Sequence, residues 1–288
     1  MCNGKIYLQI LYVPLFMADY RHIFYRIASM DVAICLDCTS SIASSFCQVR
    51  DRICSIIEPI TRIKKDIRLA LIEFRSRDDS WVTIIHPFTQ SANTFQNWLN
   101  NTKADGGSQD GTRAISDALR EALKLEWRSE NDGRWHEKLI IMITGGPPCG
   151  LLTDSTEIEM NDCPCIADDL WIMSDELIKE NLTLAIVGIE PSVIVCDDFY
   201  GALAKNTGGE YIPLVNASHI LASIIQSVIM EEDTLSQKFR HIDMNEIEKN
   251  SLYRHTFVQK RAQSMIEQCR TMADIRNWLK NHPRHSQY

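Results

Sequence analysis

The sequence predicts a doubly wound α/β fold: a mostly parallel sheet with helices on both faces and one antiparallel edge strand. Three observations predict it. From residue 31 onward, apolar strand-like runs alternate with patterns of helical period. The run Leu139-Ile140-Ile141-Met142-Ile143 is apolar without a break, as expected of a strand covered on both faces. Ile67 to Phe74 and Val82 to Phe88 are joined only by the polar turn Ser76-Arg77-Asp78-Asp79. A parallel crossover needs about a dozen residues or more, so this pair is an antiparallel hairpin.

Taken in order, Asp31 to Leu36 is the first strand. Phe46, Val49, Ile53, Ile56, Ile57, Ile60 and Ile63 recur at three- and four-residue steps and mark a long amphipathic helix. After the hairpin and the glycine-rich loop from Asp105 to Gly111, Ile115, Ala118, Leu119, Ala122 and Leu123 line one helix face. The strand Leu139 to Ile143 follows, then a helix over Asp168 to Lys179 and a strand over Leu182 to Ile189. Phe199 to Lys205 reads as helix, Gly209 to Leu214 as a short last strand, and Ser218 to Met230 as a closing helix. Beyond these, Phe257, Arg261, Met265, Met272, Ile275 and Leu279 suggest an amphipathic helix that packs on the body.

The 288 residues, 45% of them hydrophobic, suit one large domain with an appendage. The expected division is an N-terminal extension over 1–29, the domain over 30–235 and a basic helical tail over 236–288. Residues 238 to 288 carry ten Lys/Arg against five Asp/Glu, so the net charge of −8 divides into +5 there and −13 elsewhere. An acidic body is a poor partner for nucleic acid. Ten cysteines are too dilute for a disulfide scaffold, and Cys35, Cys47 and Cys54 fall on a strand and a helix, so predominantly free thiols and a cytoplasmic location are expected. Cys163-Pro164-Cys165 with Cys149 upstream is not a zinc spacing. Ile6 to Ala18 loosely imitates a secretory signal, and secretion is the alternative if residues 1–18 act as one.

The most informative segment is Asp37-Cys38-Thr39-Ser40-Ser41, on the loop leaving the first strand. A carboxylate followed at alternate positions by two hydroxyls can aim three oxygens at one hard cation such as Mg²⁺. The same hydroxyl residues also suit capping of the helix that follows. In doubly wound sheets ligands sit beyond the C-terminal strand ends, where the loops Asp37 to Ser41, Gly106 to Thr112 and Thr144 to Gly150 converge. Neither a G-x-x-x-x-G-K-[ST] loop nor a G-x-G-x-x-G turn after the first strand is present, which removes the usual devices for nucleotide binding. Cys38 beside Asp37 is a poor nucleophile, His86 reads as a satisfied strand histidine, and Trp127 and Trp135 read as rim packing. No Ser/His/Asp order assembles, so no enzymatic activity is expected.

Five segments together resemble the von Willebrand factor A domain, closest to the intracellular eukaryotic A domains found beside alpha-kinases. They are Asp31 to Ser41, Arg68 to Arg75, Gly106 to Gly111 leading into Ala114 to Leu119, Ile143 to Gly150, and Thr207 to Leu214. The resemblance implies a metal-ion-dependent adhesion site with Asp37, Thr39 and Ser41 in its first loop and Asp110 in its second, Thr112 being the nearby alternative. Such a site would hold Mg²⁺ or Mn²⁺ and be completed by an Asp or Glu of a protein partner. Where related domains carry an Asp in the third loop, this chain has Gly145, which implies a weakened site. On that reading Gly145→Asp tightens the metal about 10- to 100-fold, and Asp37→Ala abolishes binding without lowering stability. Two alternatives stand beside it: a regulatory or targeting relative of an alpha-kinase, and an RNA or acidic-membrane binder acting through the +5 tail. No nucleic acid is expected on the main domain, and no membrane.

Overall fold

The computed structural model describes residues 27–63, 66–107, 112–129, 135–151, 169–230, 233–249 and 255–284. Its centre is a six-stranded sheet of β1 (Ile27–Asp37), β2 (Asp66–Phe74), β3 (Thr83–Thr89), β4 (Trp135–Thr144), β5 (Thr183–Gly188) and β6 (Tyr211–Pro213). The spatial order is β3-β2-β1-β4-β5-β6. All neighbours are parallel except β3, which pairs antiparallel with β2 as the short hairpin turn requires. This is the doubly wound α/β fold that the sequence predicts.

Alternation along β1 divides the core between two faces. Met30, Val32, Ile34 and Leu36 point to one face, packing with residues of α1 (Phe46–Thr61), α2 (Ala92–Asn101) and α6 (Leu214–Ile229). Ala33 and Cys35 point to the other, against α3 (Ile115–Leu123), α4 (Leu170–Lys179) and α5 (Asp197–Asn206). The winding leaves β1 in one direction toward β2 and in the other toward β4. The β1/β4 pair is therefore the topological switch point, where such sheets open a crevice for ligands.

The structure differs from the pattern reading in three places. Helix α2 is an addition: Ser91 caps it, accepting from Thr94 N at 3.1 Å, and Phe95 and Leu99 bury one face. Strand β1 begins at Ile27 rather than Asp31, so 27–29 belong to the sheet and not to an extension; Ser29 pairs with His136, its hydroxyl 2.6 Å from His136 Nδ1. The amphipathic tail is two helices, α9 (His255–Gln268) and α10 (Met272–Asn281). Between them Thr271 and Asp274 form a reciprocal capping box that starts α10 afresh.

The C-terminal region completes the core of both faces. Leu235, Phe239 and Ile247, from α7 (Leu235–Arg240) and α8 (Met244–Glu248), join the α1 side. Ala262, Met265, Cys269, Met272, Ile275 and Trp278 join the α5 side. Ion pairs fix this second contact: Arg261 Nε donates to Asp198 Oδ2 at 2.6 Å, and Arg284 bridges Asp197 and Asp198.

Candidate functional site: an acid and an arginine at the switch point

Asp37 ends β1 and is fully buried. Its Oδ1 accepts the Thr39 backbone N–H at 3.0 Å and the Thr39 hydroxyl at 2.7 Å. The Thr39 and Ser41 hydroxyl oxygens lie 3.0 Å apart. Three oxygens expected at a common point thus do meet there. A 3-10 turn, Ser40–Ser45, follows and leads into α1, yet Thr39 makes no side-chain bond to cap it. The hydroxyls face the acid instead.

The other Asp37 oxygen is occupied from across the sheet. Arg113 Nε donates to Oδ2 at 2.8 Å, the Gly145 N–H at 3.0 Å and the Thr144 hydroxyl at 3.4 Å. Arg113 Nη2 also donates to Ser41 Oγ. The side chains of Arg113 and Asp37 are 3% and 0% exposed, a fully desolvated ion pair.

Backbone bonds hold these parts in register. Cys38 N donates to Phe74 O at 2.8 Å, and Ser40 N to Gly106 O at 2.8 Å. Arg113 bridges to Pro148, with its N–H on Pro147 O and its carbonyl taking Cys149 N–H, both at 3.0 Å. Gly106, at φ +85°, lies against Asp79; a Cβ there would fall 2.1 Å from Asp79 Oδ2, so only glycine allows the approach. Asp79 Oδ2 in turn accepts Gly107 N–H at 2.6 Å. On the β4 side, Tyr200 Oη donates to Gly146 O at 2.7 Å, and burial holds that phenol well above its ordinary range.

Of the expected site residues, Asp37, Thr39 and Ser41 come together. Thr112 is tied through its carbonyl, which accepts Ser76 Oγ at 2.6 Å and Arg113 Nη1 at 3.3 Å. Asp110 lies outside the described residues. Sequence reasoning missed Arg113, since no local signal ties a residue 76 positions away to Asp37. The donor set does not fit a divalent cation while the guanidinium is in place. Both Asp37 oxygens carry N–H or O–H donors, the Ser41 hydroxyl receives one, and a positive charge already stands against the single described carboxylate. Among the described residues no group of three or more His, Cys, Asp or Glu is arranged to hold a metal.

Gly145 is not an empty ligand position either. A Cβ there would stand 2.4 Å from Ile42 Cγ2, so an Asp would collide with a buried side chain before it reached any ion. The expectation that Gly145→Asp simply restores an oxygen therefore meets a steric objection.

Other expectations are met plainly. His86 Nε2 sits 2.8 Å from Glu73 Oε1 and its ring stacks on Trp98. Trp127 Nε1 donates to Ala122 O, and its ring meets the edge of Phe88. The Trp135 side chain lies outside the described residues. Burial pushes the Cys38 thiol up, with the Glu73 and Asp37 carboxylates adding to it, so no reactive thiolate forms there. Cys35, Cys38, Cys47, Cys54, Cys196 and Cys269 are free, whereas Cys149 is disulfide-bonded. That one bond stands beside the predominantly free thiols that the sequence leads one to expect.

Residues 32–147 match the von Willebrand factor type A domain. The segment runs from within β1 to the loop after β4, and so carries Asp37, Thr39, Ser41 and Arg113 together. Von Willebrand A domains are generally protein-interaction modules, often metal-dependent. No curated protein matches the chain. Among solved structures it is similar to proximal thread matrix protein 1 from the mussel byssus. One crystal form matches at 15% identity and TM-score 0.47, over 70% of this chain and 46% of that one. Another structure of the same protein matches at 12% identity and TM-score 0.46, over 71% and 48%. The chain spans about half the length of these structures. Among the described residues no helix is long and apolar enough to cross a membrane.

Proposed function

We propose that this chain is a non-enzymatic protein-interaction module whose partner docks on the loops at the C-terminal ends of β1 and β4. The observation that carries the reading is the exposed rim Ser40, Ser41, Asp105, Gly106 and Gly107 above the buried Asp37, at the switch point of an A-type sheet. A rigid base under a polar rim is suited to present a fixed surface with little ordering cost on binding. The metal-dependent form of this reading places Mg²⁺ or Mn²⁺ on Asp37, Thr39, Ser41, Asp110 and Thr112, with a partner's Asp or Glu completing it. That form requires Arg113 to leave its place. A targeting relationship to an alpha-kinase is the narrower form that the sequence resemblance supports; the six free thiols accord with a cytoplasmic setting and the Cys149 disulfide with the secreted alternative.

The test is cross-linking of partners to the wild-type chain and to Ser40→Arg, each with Mg²⁺ and with chelator. The expected result is a cross-linked partner that Ser40→Arg loses while its melting temperature is kept, with chelator making no difference. Loss of the partner on chelation would favour the metal-dependent form. A partner retained by Ser40→Arg would move the binding face elsewhere.

A further inference from the structure

We infer that the Arg113 guanidinium is a built-in cation: it occupies the ion position of the Asp37-Thr39-Ser41 loop and makes that loop independent of metal, leaving a latent divalent site beneath it. The inference stands on the geometry of Arg113 and does not depend on what partner the loops bind.

Arg113 satisfies the oxygens that a metal would otherwise take. It donates directly to Asp37 Oδ2 and Ser41 Oγ, and the third oxygen, Thr39 Oγ1, closes the ring at 3.0 Å from Ser41 Oγ and 2.7 Å from Asp37 Oδ1. Its backbone is fixed on both sides, by the bridge to Pro148 and by Ala114 N donating to Arg75 O at 2.9 Å, so the guanidinium is held rather than draped. Unlike a bound metal ion, this cation is covalently part of the chain and so does not dissociate.

A second buried acid gives the contrast. Asp31, six residues earlier within β1, is paired with Arg68 Nε at 2.9 Å and Arg128 Nη1 at 2.9 Å. Among the described residues its partners are these two arginines and the Arg128 backbone N–H, with no pair of hydroxyls converging on it. The pair at Asp37 differs by those two hydroxyl oxygens, which give the site the hard-oxygen set that a divalent ion takes once the guanidinium is removed.

Thermal melting under rising Mn²⁺ tests the inference on three chains: wild type, Arg113→Ala, and Arg113→Ala combined with Asp37→Asn. Wild type should show no metal-dependent shift through millimolar Mn²⁺. Arg113→Ala should gain one that grows with the logarithm of concentration, since only the folded chain presents the site. The double variant should lose it again. A shift in wild type overturns the inference, as does a folded Arg113→Ala chain that ignores Mn²⁺, which would leave Arg113 as an ordinary structural ion pair. If Arg113→Ala does not fold in buffer alone, refolding with Mn²⁺ or methylguanidinium becomes the readout. Rescue by either cation supports a cation position, and failure of both overturns it.

Discussion

Arg113 Nε lies 2.8 Å from Asp37 Oδ2 across the switch point, and neither side chain has appreciable contact with water. Removing one member of such a pair leaves the other as an uncompensated buried charge, at a cost of about 3–5 kcal/mol. Asp37→Ala should therefore destabilise the fold by that amount in urea unfolding. This corrects the expectation that its loss leaves stability untouched, which assumed repulsion among site acids. Asp37→Ala with Arg113→Ala should cost less than the two single changes added together, because the pair couples them.

Gly145→Ala should destabilise by about 1–3 kcal/mol, the usual cost of overpacking, because its Cβ meets Ile42 Cγ2. Adding Ile42→Ala should recover part of the loss. Melting temperatures of the single and double variants measure both effects. A Gly145→Ala chain as stable as wild type would show that Ile42 yields freely.

Ile275 is fully buried against the α5 side although it lies in α10, near the end of the described chain. Ile275→Ala should cost about 2–5 kcal/mol, as a core truncation does. A cost near zero in chemical unfolding would mean that the C-terminal helices detach without consequence for the body.

Burial pushes the Asp197 carboxyl up to about 6, against the opposing pull of Arg284, with Asp198 beside it. The unfolded value is about 3.9. Between these values the folded state binds the proton more readily. The stability it contributes is therefore fully present below about pH 4 and lost as pH rises through about 6. Asp197→Asn should flatten that part of the stability profile, as read by unfolding in urea from pH 4 to 7.

Thiol counting on denatured, unreduced protein should find at least the six described free cysteines and at most eight of the ten, since Cys149 and its partner are joined. Ten thiols in freshly quenched cells would mean that the Cys149 bond does not form there and would favour a reducing compartment.

Much of the fold was legible because its signals are local. An unbroken apolar run made β4, a short polar turn made the β2/β3 hairpin antiparallel, and a three- and four-residue period made α1. Helix α2 was missed because Phe95 and Leu99 are its only fully buried positions, too sparse a stripe to register without the Ser91 cap. The tail was read as one helix because hydrophobic spacing continues across Cys269 to Thr271, while the capping box that divides it lies in polar residues. At the site, the oxygens of Asp37, Thr39 and Ser41 were readable from their alternation. The cation was not, because Arg113 is 76 residues away from Asp37 and only the pairing of the loops brings it there.

The C-terminal helices lay residues from both sides of the sheet, Phe239 on one and Trp278 on the other. A nascent chain stopped before residue 255 would leave the apolar side chains of α5 that meet α9 facing water, and chaperone contact should persist until α9 has emerged and packed there.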